Sequence, residues 1–205
     1  MITIIDYNMG NIASIENILR RIGADAKITS DPSEILNAEK IILPGVGSFD
    51  YGMKNLNELG ITQVLKEKVL NENTPLLGIC LGMQLLTESS EEGTLKGLGF
   101  IKSHTIKFKS EYNGEKLIIP HMGWDYVCPR RNEGLFKNSV NNLRFYFVHS
   151  YYVECENKEE VLATTEYGVK FASAIGKDNI LGVQFHPEKS HKYGMNLLKN
   201  FVEMV

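Results

Sequence analysis

A cysteine flanked by two glycines is the first arrangement in this sequence that could do chemistry. Cys80 lies between Gly78 and Gly82, where the apolar run Leu76–Ile79 gives way to a helical pattern. This Gly-x-Cys-x-Gly pattern is the thiol counterpart of the strand-to-helix turn built around a nucleophilic serine. Such a turn has little room for a Cβ atom beside the nucleophile, and the helix start after it favours the thiolate. The alternative is a small buried apolar residue, which most free cysteines are.

His186 is the candidate for the base that a reactive thiol needs. It follows the strand-like residues 181–185 and precedes Pro187 and Glu188. Proline is expected to hold this segment extended, so that side chains two residues apart project to the same side. His186 would then face the sulfur while Glu188 fixes the tautomer of the imidazole. An isolated His-Pro-Glu is also typical of a surface loop, and the cysteine turn is what favours the catalytic interpretation.

Two backbone segments are candidates for the oxyanion hole of such a nucleophile. The first is the amide of Leu81, the residue after the cysteine. The second is Pro44-Gly45-Val46-Gly47, which follows the predicted strand Lys40–Leu43. These glycines are equally typical of a plain turn, and the segment lacks the lysine of a phosphate-binding loop.

Composition limits the possible classes of protein. The chain has 205 residues, 43% hydrophobic and 23% charged, with a net charge of −3, as in an ordinary soluble domain. This charge does not favour nucleic acid or an acidic membrane surface as a partner. The three cysteines, Cys80, Cys128 and Cys155, indicate neither a disulfide framework nor a zinc site. Residues 1–5 already resemble a strand, so we expect no signal peptide, no membrane span and a cytoplasmic location.

The first half of the chain alternates predicted strands with predicted helices. A helix over residues 12–22 is expected to begin at Asn11 as cap and to end at Gly23. Asp31-Pro32-Ser33-Glu34 has the form of a capping box, and a further helix is predicted over 62–71. The predicted strands are Ile2–Ile5, Ala26–Thr29, Lys40–Leu43 and Leu76–Ile79. This alternation predicts an α/β fold with a mostly parallel central sheet flanked by helices.

The second half is predicted to add antiparallel strands to the same core. A turn is expected at Tyr112-Asn113-Gly114. The strand candidates are 101–108, 116–119, 143–153, 161–165, 171–175 and 180–185. A last helix over 193–204 would place Leu197, Leu198, Phe201 and Val205 on one face. We find no linker or repeat and expect one domain over residues 1–205.

Several motifs, in chain order, resemble those of the class I (triad) glutamine amidotransferases, whose fold is flavodoxin-like. The family motifs are Pro44-Gly45-Val46-Gly47, Gly78-Ile79-Cys80-Leu81-Gly82-Met83-Gln84 and Phe185-His186-Pro187-Glu188-Lys189-Ser190. Three further motifs resemble the glutaminase subunits of imidazole glycerol phosphate synthases. They are Asp6-Tyr7-Asn8-Met9-Gly10-Asn11, Pro120-His121-Met122-Gly123-Trp124 and Tyr146-Phe147-Val148-His149-Ser150-Tyr151.

The resemblance implies a reaction and a role for each motif. Cys80 would attack the side-chain amide of L-glutamine, His186 would protonate the departing ammonia, and Glu188 would orient His186. The amides of Leu81 and of Gly45, Val46 and Gly47 would hold the oxyanion. Four residues would hold the amino-acid end of glutamine: Gln84, His149, Ser150 and Tyr151. No metal or organic cofactor is implied.

The resemblance also implies a partner, a (β/α)8-barrel cyclase that receives the ammonia and acts in histidine biosynthesis. The implied partner face comprises Met122, Gly123, Trp124 and Asp125. Asn8 stands where the family usually has glycine, and asparagine tolerates the left-handed backbone of such a position. Asp125 stands where the family usually has asparagine. We therefore expect a partner with a Lys, Arg or other donor opposite Asp125.

Three other functions share part of this pattern, and the residues argue against two of them. Relatives of such subunits serve sugar-modifying synthetases in cell-surface polysaccharide assembly, and the sequence does not exclude that role. Peptidases and chaperone-like proteins share the cysteine turn and the sheet, but they lack counterparts of Gln84 and Glu188. A non-catalytic interaction module has no use for all three triad residues.

Overall fold

The computed structural model describes residues 1–112, 114–139 and 142–204. The strands in chain order are β1 (Ile2–Ile5), β2 (Ala26–Thr29), β3 (Lys40–Leu43), β4 (Leu76–Ile79), β5 (Ser89–Ser90), β6 (Ser103–Lys107), β7 (Glu111–Tyr112), β8 (Glu115–Lys116), β9 (His121–Tyr126), β10 (Cys128–Pro129), β11 (Arg144–His149), β12 (Tyr151–Cys155), β13 (Val161–Tyr167), β14 (Val169–Lys177) and β15 (Ile180–Val183). The α-helices are α1 (Ile12–Arg21), α2 (Pro32–Ile35), α3 (Phe49–Glu58), α4 (Ile61–Lys66), α5 (Leu81–Leu85) and α6 (His191–Glu203). Within those ranges, the helices are too short or too polar to cross a lipid bilayer.

A large central sheet organises the fold in the order β2-β1-β3-β4-β15-β14-β12-β6-β5. Neighbouring strands run parallel from β2 to β15, and the pairs β15–β14, β14–β12 and β12–β6 are antiparallel. β13 and β10 extend the sheet from β14. This arrangement confirms the predicted α/β class with antiparallel strands added in the second half.

Helices pack on both faces of the sheet because its central strands are apolar on both sides. β1, β4 and β15 are buried along their whole length. On one face the buried core includes apolar residues of α3, α4 and α5, such as Phe49, Leu65 and Met83. On the other face it includes residues of α1 and α6, such as Leu19 and Phe201.

The predicted helices are present, although the one expected over 62–71 divides into α4 and a π-helical segment, Glu67–Asn71, and two of the predicted caps differ in detail. Gly23 follows α1 with a φ of +79°, as expected for the residue that ends a helix. Asn11 precedes α1 but makes no side-chain capping hydrogen bond, so that prediction is wrong. Asp31 accepts from the Ser33 amide at 2.8 Å. Glu34 completes no capping box, because its carboxylate pairs with Lys27 at 2.8 Å.

The second half of the chain differs more from the prediction. Residues 143–153 are not one strand, because β11 pairs with β9 in a separate two-stranded sheet while β12 joins the central sheet. The predicted strand 116–119 is reduced to Lys116, the end of β8, which pairs with β7 around the predicted turn. Helix α3 and strand β9 were not predicted. Asn113 of that turn and Val205 of the last helix lie outside the described residues.

The packing of α5 against β3 gives a first prediction, that Gly82→Ala destabilises the protein. A Cβ atom at Gly82 would lie 1.9 Å from the carbonyl oxygen of Leu43, which is backbone and cannot rotate away. We expect a loss of about 3 kcal/mol or more in the free energy of unfolding. Urea denaturation followed by circular dichroism measures it.

Gly99→Asn is the matched control for this substitution. Gly99 is exposed, has a φ of +66°, and a Cβ atom there meets nothing within 4 Å. Because asparagine tolerates that backbone, we expect a loss of about 1 kcal/mol or less. Equal stabilities of the two variants would contradict the close approach at Gly82.

Candidate active site

Cys80 occupies a sharp turn between β4 and α5. Its backbone has φ of +54° and ψ of −109°, a conformation that non-glycine residues rarely adopt. The Cys80 amide donates to the carbonyl of Val183 on the neighbouring strand at 2.8 Å. A Cβ atom at Gly78 would lie 2.7 Å from the backbone of Gly82. The two glycines are therefore required by space, as the sequence predicted.

His186 is held at the end of β15 by hydrogen bonds to β11. Its amide donates to the carbonyl of Tyr146 at 2.9 Å. The hydroxyl of the fully buried Ser190 donates to the His186 carbonyl at 2.6 Å and accepts from the Tyr146 amide at 3.0 Å. Pro187 starts a 3₁₀ turn, Pro187–Lys189, so the predicted extended segment is wrong. This turn still brings the side chain of Glu188 back to His186.

The imidazole of His186 and the carboxylate of Glu188 form a buried pair. Nδ1 of His186 lies 2.8 Å from Oε1 of Glu188, and each side chain is 1% exposed. Burial alone lowers the pKa of His186, but the interactions with Cys80 and Glu188 outweigh it and raise this pKa to about 10. The raised pKa favours the imidazolium at neutral pH, and Nε2 of His186 is buried without a hydrogen-bond partner among the described residues. An imidazolium and a cysteine in one site can supply a general acid and a nucleophile.

The Leu81 amide, which is predicted to donate to an oxyanion, already donates to an acceptor within the chain. The Leu81 amide donates to the carbonyl oxygen of Gly45 at 3.3 Å. The hydroxyl of Tyr7 donates to the preceding carbonyl, that of Pro44, at 2.6 Å. Val46 is 42% exposed and follows directly. The carbonyl of Gly45 thus uses the donor that an oxyanion would need, and the Gly45–Val46 peptide must turn to release it.

Two glutamine side chains lie behind the sulfur. Nε2 of Gln84 donates to the Tyr151 carbonyl at 3.2 Å and to Oε1 of Gln184 at 3.1 Å. Nε2 of Gln184 lies 3.7 Å from Sγ of Cys80. Gln184 is fully buried. Gln84 therefore contacts Gln184, and Gln184 in turn lies next to the sulfur of Cys80.

The segment His149-Ser150-Tyr151 lies between β11 and β12, close to this pair of glutamines. His149 is buried, and its Nδ1 donates to the Tyr151 carbonyl at 2.8 Å. Burial lowers the pKa of His149 to about 3, so its ring is neutral. The Ser150 carbonyl accepts from the amide of Phe108 at 3.1 Å.

The residues predicted at a partner face lie on β9, with their side chains on two different sides. Met122 and Trp124 are 61% and 43% exposed. The Trp124 ring stacks on the His191 ring, with centroids 5.5 Å apart. Asp125 points to the opposite side, where Oδ2 lies 3.1 Å from Nε2 of His121. Asp125 therefore has a partner within this chain, His121. The prediction that it needs a donor from another protein rested on an unpaired Asp125, and that premise is wrong. Gly123, between the two exposed residues, has a φ of +129°.

One group of side chains in the described part of the chain has the spacing of metal ligands. Ligand atoms of Glu88, His104 and Glu156 lie within 4.8 Å of one another at the β5–β6 edge of the sheet. Lys102 pairs with Glu156 at 3.1 Å, which supplies a cation there without a metal. The group is apart from the strands that carry Cys80 and His186.

The other two cysteines lack the surroundings of Cys80. Cys128 is exposed on β10, whereas Cys155 is buried and its burial raises the pKa of the thiol to about 12. Tyr7, Gln184 and Ser190 had no predicted role, although all three are part of the quoted motifs or adjoin them. The feature of the sequence that could have indicated them is a polar side chain at the end of an apolar strand or close to His186 and Glu188.

Comparison with known proteins decides the family of this chain. The sequence model of the family described as "Glutamine amidotransferase class-I" matches residues 3–205. The chain belongs to this family.

Relatives within the class I glutamine amidotransferases match along the whole chain. One is the "Imidazole glycerol phosphate synthase subunit HisH 2" of Methanococcus maripaludis, 62% identical over 203 residues, which cover 99% of both chains. A protein of the same name from Pseudomonas aeruginosa is 47% identical over 205 residues and 100% of both chains. Both are therefore full-length relatives.

Solved structures of more distant proteins share the fold. A glutamine amidotransferase superposes with a TM-score of 0.74 at 18% identity, covering 98% of this chain and 97% of that one. A glutamine amidotransferase from Thermotoga maritima gives a TM-score of 0.70 at 17% identity, covering 99% of this chain and 98% of that one.

At Asn8, where the family usually has glycine, φ is +63°, which agrees with the expected left-handed backbone.

The buried pair gives a prediction for this amidotransferase that needs no substrate. Glu188→Gln removes the carboxylate that favours the imidazolium, so the pKa of His186 should fall from about 10. We expect a fall of about 1–3 pH units, so that the imidazolium is lost at a lower pH. A nitrogen-15 NMR titration of the histidine side chains measures the midpoint. Glu203→Gln, at an exposed carboxylate, should leave that midpoint unchanged, and an unchanged midpoint in Glu188→Gln would refute the assignment.

Proposed function

We propose that this chain is the glutaminase subunit of an imidazole glycerol phosphate synthase. It hydrolyses L-glutamine to glutamate and ammonia, and the ammonia passes to a cyclase subunit in histidine biosynthesis. The observation that carries the chemistry is the Cys80 turn beside the buried pair of His186 and Glu188. The full-length relatives named above support the pathway.

The reaction proceeds through a thioester. The Cys80 thiolate attacks the side-chain amide carbon of glutamine, and the resulting oxyanion needs backbone donors. The His186 imidazolium gives its proton to the leaving nitrogen, and the C–N bond breaks to release ammonia. His186 then accepts a proton from the water that attacks the thioester, and glutamate leaves. Glu188 holds the tautomer and orientation of the ring throughout.

The amino-acid end of the substrate binds beside Gln84 and the segment from His149 to Tyr151. Nε2 of Gln84 is used within the chain, so its Oε1 is the atom that accepts from the substrate ammonium. Ser150 is partly exposed between two strands and offers backbone groups to the carboxylate.

The partner is a (β/α)8-barrel cyclase that docks on the exposed side of β9. Met122, Trp124 and Tyr126 are large apolar side chains exposed on that side, which is typical of an interface. β9 pairs with β11, and Tyr146 of β11 bonds to the backbone of His186. The proposed docking strand β9 is therefore separated from His186 by a single strand, β11. We further propose that residues 1–205 act as one cytoplasmic domain, because the proposed site uses segments from residue 45 to residue 188.

Replacing the nucleophile should separate chemistry from assembly. We expect Cys80→Ala to lower glutamine-dependent activity roughly ten-thousandfold or more, because the step it performs has no substitute. The complex should still form and should still turn over with added ammonia. Glutamate release and ammonia-dependent cyclisation are the two measurements.

Cys128→Ala is the matched control, because its thiol is exposed and apart from the site. It should keep normal glutamine hydrolysis. If Cys80→Ala hydrolyses glutamine normally while Cys128→Ala does not, the nucleophile is wrongly assigned.

The occupied oxyanion hole predicts a poor glutaminase in isolation. As long as the Gly45 carbonyl accepts from the Leu81 amide, a donor is missing. One missing donor lowers the rate by roughly two to three orders of magnitude. Binding of the cyclase with its ribotide ligand should favour the turned peptide and raise glutamate release by about that factor. Equal rates with and without the loaded cyclase would remove this regulation.

A further inference from the structure

A chain of three hydrogen bonds runs through the buried side of β9 and β11. Oδ2 of Asp125 lies 3.1 Å from Nε2 of His121. Nδ1 of His121 lies 3.0 Å from Nε2 of His149, its direct neighbour across the two strands. Nδ1 of His149 lies 2.8 Å from the carbonyl oxygen of Tyr151. Both imidazoles thus use both of their nitrogens.

Counting hydrogens shows that this chain of hydrogen bonds needs one more proton than two neutral imidazoles and an ionised carboxylate provide. Each of the three contacts requires one hydrogen, and the carbonyl oxygen of Tyr151 can only accept. Two neutral imidazoles carry one N–H each, and an ionised Asp125 carries none. A third proton is therefore shared between His121, His149 and Asp125 whenever all three contacts are hydrogen bonds.

The surroundings place that proton between His121 and Asp125. The ring of Tyr167 stacks on His121 with centroids 4.0 Å apart, and that of Phe147 with centroids 4.7 Å apart. His149 is more deeply buried, and burial together with the neighbouring His121 and His186 disfavours a charge on it. Burial lowers the pKa of His121 below its ordinary value, and Asp125 is the one group here that opposes this effect by favouring a charge on the ring. The remaining neighbours are the apolar rings of Phe108 and Phe171.

The Tyr151 end of this chain of hydrogen bonds is connected to Cys80. The Tyr151 carbonyl accepts from Nε2 of Gln84 as well as from His149. Gln84 in turn holds Gln184, whose Nε2 lies 3.7 Å from Sγ of Cys80. Hydrogen bonds therefore connect the Tyr151 carbonyl to the side chains around the sulfur.

We propose that Asp125, His121 and His149 form a positioning unit that works by holding one shared proton. The unit fixes the Tyr151 carbonyl on the glutamine-binding segment. Through Gln84 and Gln184 it also fixes the side chain that contacts the nucleophile. None of the three residues touches the reacting atoms. The kinetic part of this inference rests on the proposed glutaminase activity, whereas the shared proton does not.

Loss of the shared proton loosens this unit as the pH rises. Two hydrogens then remain for three contacts. The contact between His121 and Asp125 is the one without a hydrogen, because the lone pair on Nε2 of His121 faces an ionised carboxylate. Asp125→Asn removes this dependence, because the asparagine amide donates a hydrogen that does not titrate. The neutral His121 then keeps its hydrogen on Nδ1, and all three contacts persist at every pH.

The first experiment observes the proton directly, by NMR of the full chain labelled with nitrogen-15 in histidine and carbon-13 in aspartate. Between about pH 4 and 9 we expect one titration step of the His121 ring, below the ordinary pKa of histidine, and a change of the Asp125 carboxyl signal that follows the same step. In Asp125→Asn that step should vanish, with His121 neutral and protonated on Nδ1. A neutral His121 beside an ionised Asp125 over the whole range, in the same tautomer as in the variant, would overturn the proposal.

The second experiment asks whether the proton positions the site. In the complex with its cyclase, the KM for glutamine should rise roughly two- to tenfold across the NMR midpoint, the range expected for one lost hydrogen bond. The kcat should change less, because the triad is untouched. Asp125→Asn should show no such rise. The pKa of His186 is raised to about 10, which is above the step expected for His121, so we do not expect His186 to produce it.

Asp178→Asn is the matched control for the change of charge. Asp178 is exposed in the turn between β14 and β15, with a φ of +52° that asparagine tolerates. Its pH dependence of KM should equal that of the unsubstituted protein. Identical pH dependence in the unsubstituted protein and in Asp125→Asn would refute the positioning role. A chain that releases no glutamate would instead refute the proposed function, while the NMR titration would still decide the shared proton.

Discussion

The left-handed backbone of Cys80 is the constraint on which the rest of the site depends. A residue other than glycine persists in such a conformation only when its surroundings enforce it. Here the neighbouring strand holds the amide of Cys80, and the two flanking glycines let β4, α5 and the end of β3 approach one another. The stability of the parallel sheet thus maintains a local strain that presents the sulfur at the strand ends.

The order of the strands explains why so few elements supply the chemistry. β3, β4 and β15 are neighbours and run parallel, so the segments after all three meet at one edge. The segment after β3 carries the proposed oxyanion loop, that after β4 the proposed nucleophile, and that after β15 the proposed base. β12 of the large sheet and β11 of the separate two-stranded sheet flank the proposed substrate side. The hydrogen bonds from β11 to His186 and Ser190 therefore join the small sheet that carries β9 to the segment after β15.

Local features of the site could be predicted from the sequence, whereas contacts between distant segments could not. The glycines around Cys80 and the pairing of His186 with Glu188 depend on spacing within a few residues. Even there, the backbone of that pair is a 3₁₀ turn and not the extended segment expected. The pairing of Asp125 with His121, and the Gly45 carbonyl on the Leu81 amide, depend on tertiary geometry that no local pattern records. For the same reason residues 143–153 looked like one strand, although they join two sheets.

Trp124 is the only tryptophan of the chain, and it lies on the exposed side of β9, stacked on His191. Its fluorescence therefore comes from a single place on the molecular surface. Removing water from that indole, or separating it from His191, changes its emission without any introduced label. The chain thus carries its own optical reporter at the face proposed for docking, and association can be followed in real time with the natural sequence.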